Sequence, residues 1–174
     1  MKRICLLTGQ PGTGKTSLIK TVAGEFAGNA GGFYTEEIRS QGTRLGFRLV
    51  TLDGESGTLA HIKIKSPHRV GRYGVDLDAL EHLGVTAVLR AVDGCDLIVI
   101  DEIGKMELFS DSFKEAVLRA LDSDRKVLGA VMLSPHVWAD ALKRRPEVDL
   151  LPVTRTNNRR VLEEIRGWLK APQA

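Results

Sequence analysis

Long hydrophobic runs are missing from this 174-residue chain: no run of consecutive apolar residues exceeds four, as in "LIVI" at 97–100. A helix that crosses a bilayer needs about 20, so a membrane partner is not expected. Cysteine is scarce, with only Cys5 and Cys95, each in an apolar strand-like context and without CxxC spacing. That excludes a disulfide framework and a thiolate zinc site, and leaves two buried thiols. Strong charge of either sign is also lacking. The formal net charge is +3, which suits an anionic small-molecule ligand and neither demands nor excludes a nucleic acid. No internal repeat or low-complexity tract interrupts the chain. "MKRICLL" opens with two bases, but no small-residue cleavage site follows, so the expected location is cytoplasmic. No heptad or apolar stripe marks an interface, and the oligomeric state stays open.

What the chain does carry is a regular alternation of short apolar and longer amphipathic segments. Strands are expected at 3–8, 31–40, 96–101, 126–133 and 148–153. Helices are expected at 15–27, 76–92, 109–121, 136–144 and 159–170, before a frayed "KAPQA" tail. "RLGFRLVTL" (44–52) and "TLAHIKIK" (58–65) alternate at period two around "DGESG", a hairpin signal. Apolar strands alternating with helices imply a mostly parallel sheet covered on both faces. The hairpin at 44–65 adds an antiparallel extension to it. At this length a single domain over 1–174 is expected.

Between the first strand and the first helix stands "GQPGTGKTS", residues 9 to 17. Gly9, Gly14, Lys15 and Thr16 complete the pattern GxxxxGK[ST]. Its chemistry requires a strand to end, wrap a phosphate chain with backbone N–H groups, and start a helix whose positive end faces the anion. Glycines allow the close approach and positive φ. Gly9, Gln10, Pro11, Gly12, Thr13, Gly14, Lys15, Thr16 and Ser17 are the nucleotide-binding candidates. Lys15 would reach the terminal phosphates and Thr16 would offer a hydroxyl to Mg²⁺. This is the Walker A pattern, and the expected architecture is the three-layer α/β P-loop NTPase fold.

Such a loop needs a carboxylate at the end of a neighbouring buried strand, and "DLIVIDEIG" supplies Asp101 as the metal-side candidate, the Walker B position. Glu102 beside it is read as the base that orients and deprotonates an attacking water. Arg39, Arg72, Arg144, Arg145, Arg155 and Arg159 are candidates for neutralising charge on the γ-phosphoryl group. Lys105 and Glu107 either support the acidic pair or precede the next helix as an exposed face. Thr154, Asn157 and Arg159 in "TRTNNR" are nucleotide-side candidates, or an ordinary helix start capped by Asn157 or Asn158. Ser134 either senses the γ-phosphate or caps the helix that follows. His61, Lys63 and Lys65, read as one face of a hairpin strand, with His68, Arg69 and Arg72, form a charged edge that is more simply a protected edge strand. Trp138 and Trp168 read as packing residues.

With these residues in place, the chain resembles the small nucleoside-triphosphatases of thermophilic prokaryotes and the vertebrate cancer-related nucleoside-triphosphatases. The resemblance runs through "GQPGTGKTSL", "GGFYTEEIR", "GFRLVTLDG", "VGRYGV", "DLIVIDEIGKMELFS" and "VTRTNNR". It implies slow, Mg²⁺-dependent hydrolysis of ATP, GTP and other nucleoside triphosphates. It also implies a sheet in which one strand separates the acidic strand from the first. Carried over, the nucleotide segments are Gly9 to Thr16 and Asp101, Glu102, Ile103 and Gly104. The chain departs from the expected pattern at Arg160, where an acid is expected. A small-molecule or polynucleotide kinase with "LKRRPEV" as a lid is the alternative. A guanine-nucleotide switch lacks its NKxD-type base reader.

Overall fold

The computed structural model describes residues 1–172. Of the "KAPQA" tail, Gln173 and Ala174 lie outside the described residues. The strands are β1 (Ile4–Thr8), β2 (Ala30–Ser40), β3 (Thr43–Thr51), β4 (Ser56–His61), β5 (Arg69–Val70), β6 (Tyr73–Val75), β7 (Leu97–Ile103), β8 (Lys126–Val131) and β9 (Val148–Pro152). The helices are α1 (Lys15–Glu25), α2 (Leu77–Ala79), α3 (Thr86–Gly94), α4 (Asp111–Asp122), α5 (Val137–Lys143) and α6 (Asn158–Lys170). The strands form one sheet in the order β5-β6-β4-β3-β2-β7-β8-β1-β9. β8 lies between the acidic strand β7 and the first strand β1, and pairs parallel to both.

The central strands are mostly apolar because helices cover both faces. β1 and β8 are buried at every residue. Alternate residues feed two cores: Ile4, Leu6, Ile98 and Ile100 pack with Val88, Phe113, Val117 and Leu142 of α3, α4 and α5. Cys5, Leu7, Leu97 and Val99 pack with Ile19 and Val22 of α1 and Val161, Ile165 and Trp168 of α6. The three-layer α/β arrangement thus follows from strand alternation alone. Both thiols are free, and burial pushes Cys5 up to about 12. No helix among the described residues is long and apolar enough to cross a membrane.

The antiparallel extension is larger than the hairpin signal predicts. β2 runs 11 residues. Its first part pairs parallel with β7 through Ala30 to Phe33, and the rest pairs antiparallel with β3. β4 ends at His61, and the short β5 and β6 continue the sheet beyond it. Lys63 and Lys65 therefore lie past the strand, and the expected shared face with His61 does not form. The helix expected over 76–92 divides into α2, a π-helical segment at Leu80–Val85, and α3. Gly84 there lies against Leu49 of β3, where an added Cβ would stand 3.0 Å from Leu49 Cδ1. The helix expected from Phe109 starts later, after a 3₁₀ turn at Glu107–Phe109, because the Ser110 side chain caps α4 by accepting from Phe113 N–H.

Lys126, nearly buried at the start of β8, closes the other end of the molecule. Its Nζ donates to the α6 C-terminal carbonyls of Trp168 (2.8 Å), Leu169 (3.1 Å) and Ala171 (2.7 Å). A cation there satisfies carbonyls that the helix leaves open and meets the negative end of its dipole. Lys126→Met, which keeps the stem and removes the ammonium, should lower unfolding free energy by about 1–3 kcal/mol. Denaturant unfolding monitored by Trp168 fluorescence checks this, and an unchanged midpoint would show that water replaces the ammonium without cost.

Candidate active site

The glycine loop leaves β1 and enters α1 as the spacing requires. Gly9, Gly12 and Gly14 stand at φ 156°, 78° and 94°. Thr13 Oγ1 donates to Gln10 O (2.9 Å), and Asn158 Nδ2 of α6 donates to Thr13 O (2.7 Å). Lys15 Nζ is folded over the loop and donates to Gly9 O (2.8 Å) and Gln10 O (3.0 Å). These carbonyls hold the ammonium at the mouth of the loop, where a phosphate chain would take over its hydrogen bonds. Gln10, Pro11, Gly12 and Ser17 are exposed on the loop and first turn, while Thr16 is half-buried beneath it.

Asp101 and Glu102 lie inside β7 rather than at its end, since the strand continues to Ile103. The peptide bond between them is cis. Asp101 is 2% exposed. Two buried side-chain atoms among the described residues lack a hydrogen-bond partner: Asp101 Oδ2 and Thr8 Oγ1, at the C-terminal parts of β7 and β1. Burial first, with the Glu102 charge adding, pushes the Asp101 carboxyl up to about 7, while the Thr16 hydroxyl, Lys15 and the Thr35 backbone pull it down. An orphaned carboxylate oxygen next to a loop hydroxyl, in a site lined with further oxygen donors, suits a hard divalent cation. The residues present therefore fit Mg²⁺.

Glu102 turns the other way, into a cavity of about 330 Å³ that it shares with Gly9, Gln10, Lys15 and Glu107. Burial raises its pKa and Lys15 opposes the rise. Glu107 is 4% exposed, and burial together with the Glu102 charge holds its carboxyl well above the usual carboxylate range. A Cβ built on Gly104 would stand 2.8 Å from Glu102 Oε1 and 3.2 Å from Glu107 Oε2. The two carboxyls thus crowd over Gly104, and a side chain there would push them aside. Burial and the Glu102 charge favour the protonated form of Glu107, while Lys15 favours the charged form of Glu102.

The other expected residues separate clearly. Ile103 faces the core, and its carbonyl accepts from Met132 N–H (2.9 Å). Gly104 lies under the carboxyl pair. Lys105 and Ser134 line the cavity; Ser134 caps no helix, since His136 supplies the side chain that accepts from Ala139 N–H. None of the six arginines lines it. Arg39 pairs with Glu37, Arg72 donates to Arg44 O, and Arg145 binds Asp122 and Glu147, which ties down the segment read as a lid. Asn157 is occupied by its own turn, accepting from Thr154 N–H and donating to Pro152 O. Thr35, Phe47, Leu59, Val70, Met106, Met132 and Leu133 complete the walls without having been singled out by their sequence. The signal for Thr35 and Phe47 was their place inside "GFYTEEIR" and "GFRLV".

The family model described as "NTPase" matches residues 4–166. The chain is 46% identical over 165 residues to "Nucleoside-triphosphatase THEP1" of Thermotoga sp. strain RQ2, covering 95% of this chain and 94% of the relative. It is 40% identical over 183 residues to the human "Cancer-related nucleoside-triphosphatase", covering 95% of each. Its structure superposes on the crystal structure of THEP1 from Aquifex aeolicus with a TM-score of 0.90 at 33% identity, covering 97% of this chain and 99% of the other.

The raised Asp101 carboxyl has a consequence for stability. It binds its proton more tightly in the folded chain, at about 7, than at its ordinary 3.8. Folded-state stability from this group is therefore full below pH 4 and is lost as pH rises through 7. Without nucleotide or metal, Asp101→Asn should be more stable than wild type at pH 8, by on the order of a few kcal/mol. The gap should close toward pH 4. Thermal melts across that range test it, and a gap independent of pH would contradict the burial of an unsatisfied charge.

Proposed function

As the chain belongs to the nucleoside-triphosphatase family, and is itself a nucleoside-triphosphatase, we propose how its residues divide the work on ATP, GTP and other nucleoside triphosphates. The backbone N–H groups from Gly9 to Ser17 cradle the phosphates, and Lys15 leaves the Gly9 and Gln10 carbonyls for the β- and γ-phosphate oxygens. Thr16 and Asp101 would hold Mg²⁺. When bound, the cation neutralises charge on the phosphate oxygens. Glu102 orients a water and accepts its proton as the water oxygen bonds to the γ-phosphorus and the bond to the bridging oxygen breaks. Lys15 stabilises the charge that gathers on the transferred group. Glu107, protonated, keeps a second negative charge away from the incoming phosphate.

The observation that carries this reading is the convergence of Lys15 and Glu102 on one cavity, with the unpartnered Asp101 oxygen close by. The same reading takes residues 1–174 as one cytoplasmic domain. It places the base toward β9 and α6, where Asn158 braces the loop, with little preference among bases.

Lys15→Ala should weaken nucleotide binding and turnover together. Glu102→Gln should leave ATP binding within a few-fold of wild type and cut phosphate release by about 10²–10⁴-fold. Phosphate release and fluorescent-nucleotide titration on both variants check this. Near-normal turnover in Glu102→Gln would remove it from the mechanism.

A further inference from the structure

Hydrolysis needs room for one water beside the γ-phosphate, a volume of about 30 Å³. The cavity is about 330 Å³. With the base placed toward β9 and α6, as proposed above, the excess is not for the base. The cavity walls come from the loop after β1, from β2 to β5, and from the segments after β7 and β8. None comes from residues 152–158, which flank the glycine loop on its opposite side, through β9 beside β1 and the Asn158 bond to Thr13. A triphosphate lying from that side toward Lys15 and Glu102 would put its γ-phosphorus at the threshold of the cavity, with the cavity beyond it.

The chemistry of the walls is also wrong for water alone. Phe47, Leu59, Val70, Met106, Met132 and Leu133 make it mostly apolar. Leu133, at 46% exposure, is one of few large apolar side chains open to solvent. Phenyl and thioether groups make good contact with ring faces. A smaller set of polar side chains lines it as well: Lys15, Thr35, Glu102, Lys105, Glu107 and Ser134. An apolar enclosure with a few convergent polar groups is the usual form of a small-molecule site.

We propose that this cavity is an acceptor site, and that the protein transfers the γ-phosphoryl group to an uncharged primary alcohol carried on a flat apolar ring system. This rests on the roles given above to Lys15 and Glu102. The ring lies between Phe47 and the methionines, and the hydroxyl points at Glu102. The alcohol oxygen bonds to the γ-phosphorus, its proton passes to the Glu102 carboxylate, and the bond to the β,γ-bridging oxygen breaks. The nucleoside diphosphate leaves with that electron pair. Water in the same place, when no alcohol is bound, gives hydrolysis.

The test measures how the γ-phosphoryl group of labelled ATP divides between water and an added alcohol. Methanol, glycerol, benzyl alcohol, 2-phenylethanol and thymidine are compared at equal concentration, with phosphate ester and inorganic phosphate separated. The ring-bearing alcohols should give ester-to-phosphate ratios about tenfold or more above glycerol, the gain expected from burying a ring. Leu133→Asp at the exposed rim and Phe47→Ser should lower that ratio severalfold. Inorganic phosphate alone from every alcohol, or equal ratios for glycerol and benzyl alcohol, would overturn the proposal while leaving hydrolysis intact. Absence of any Lys15-dependent phosphate release would instead overturn the mechanism on which it rests.

Discussion

Three carboxyl groups, those of Asp101, Glu102 and Glu107, are packed with little solvent around the C-terminal part of one buried strand, opposite the ammonium of Lys15. Charges so close cannot all be carried in a low-dielectric site. The fold resolves the conflict by position. Burial and the nearby Glu102 charge hold the Glu107 carboxyl well above the usual carboxylate range, Asp101 keeps one oxygen without a partner, and Glu102 opens into the cavity that Lys15 also lines. The unfavourable burial is tolerated because β7 is fixed between β2 and β8 and both cores press on it. On the proposed reading its complement would be a phosphate chain with a cation.

The glycine loop and the acidic pair were legible because each is set by local chemistry. A loop that wraps phosphate needs glycines and a lysine at fixed spacing, and a buried strand that carries "DE" has no packing reason to do so. The sheet order was legible only through the resemblance, and the interposed β8 agrees with it. Strand alternation also gave the three layers, since Cys5 and Leu7 face one core while Ile4 and Leu6 face the other.

What sequence reading could not supply depends on contacts distant along the chain. The raised Glu107 carboxyl comes first from its burial and then from the Glu102 charge across Gly104, which no spacing reveals. The π-helical segment that splits the 76–92 helix packs Gly84 against Leu49 of β3, a contact distant along the chain. His136, not Ser134, caps α5 because the chain runs through two more residues before it turns. The six arginines looked equivalent as sequence; none of them lines the cavity, and ion pairs or carbonyl contacts hold Arg39, Arg72 and Arg145 elsewhere. The apolar walls came from five separate segments, each ordinary by itself.

These features make one account: a phosphate loop on one side, an acidic strand beneath, and a cavity beyond the position of the γ-phosphoryl group. The direction of the bound nucleotide is its central claim. A crystal structure with a non-hydrolysable ATP analogue and Mg²⁺ tests it directly. The account predicts the base on the β9 and α6 side, the γ-phosphate within reach of Lys15 Nζ and Glu102, and the apolar cavity free behind it. A base seated between Phe47 and Met132, with the γ-phosphate turned away from Glu102, would contradict it.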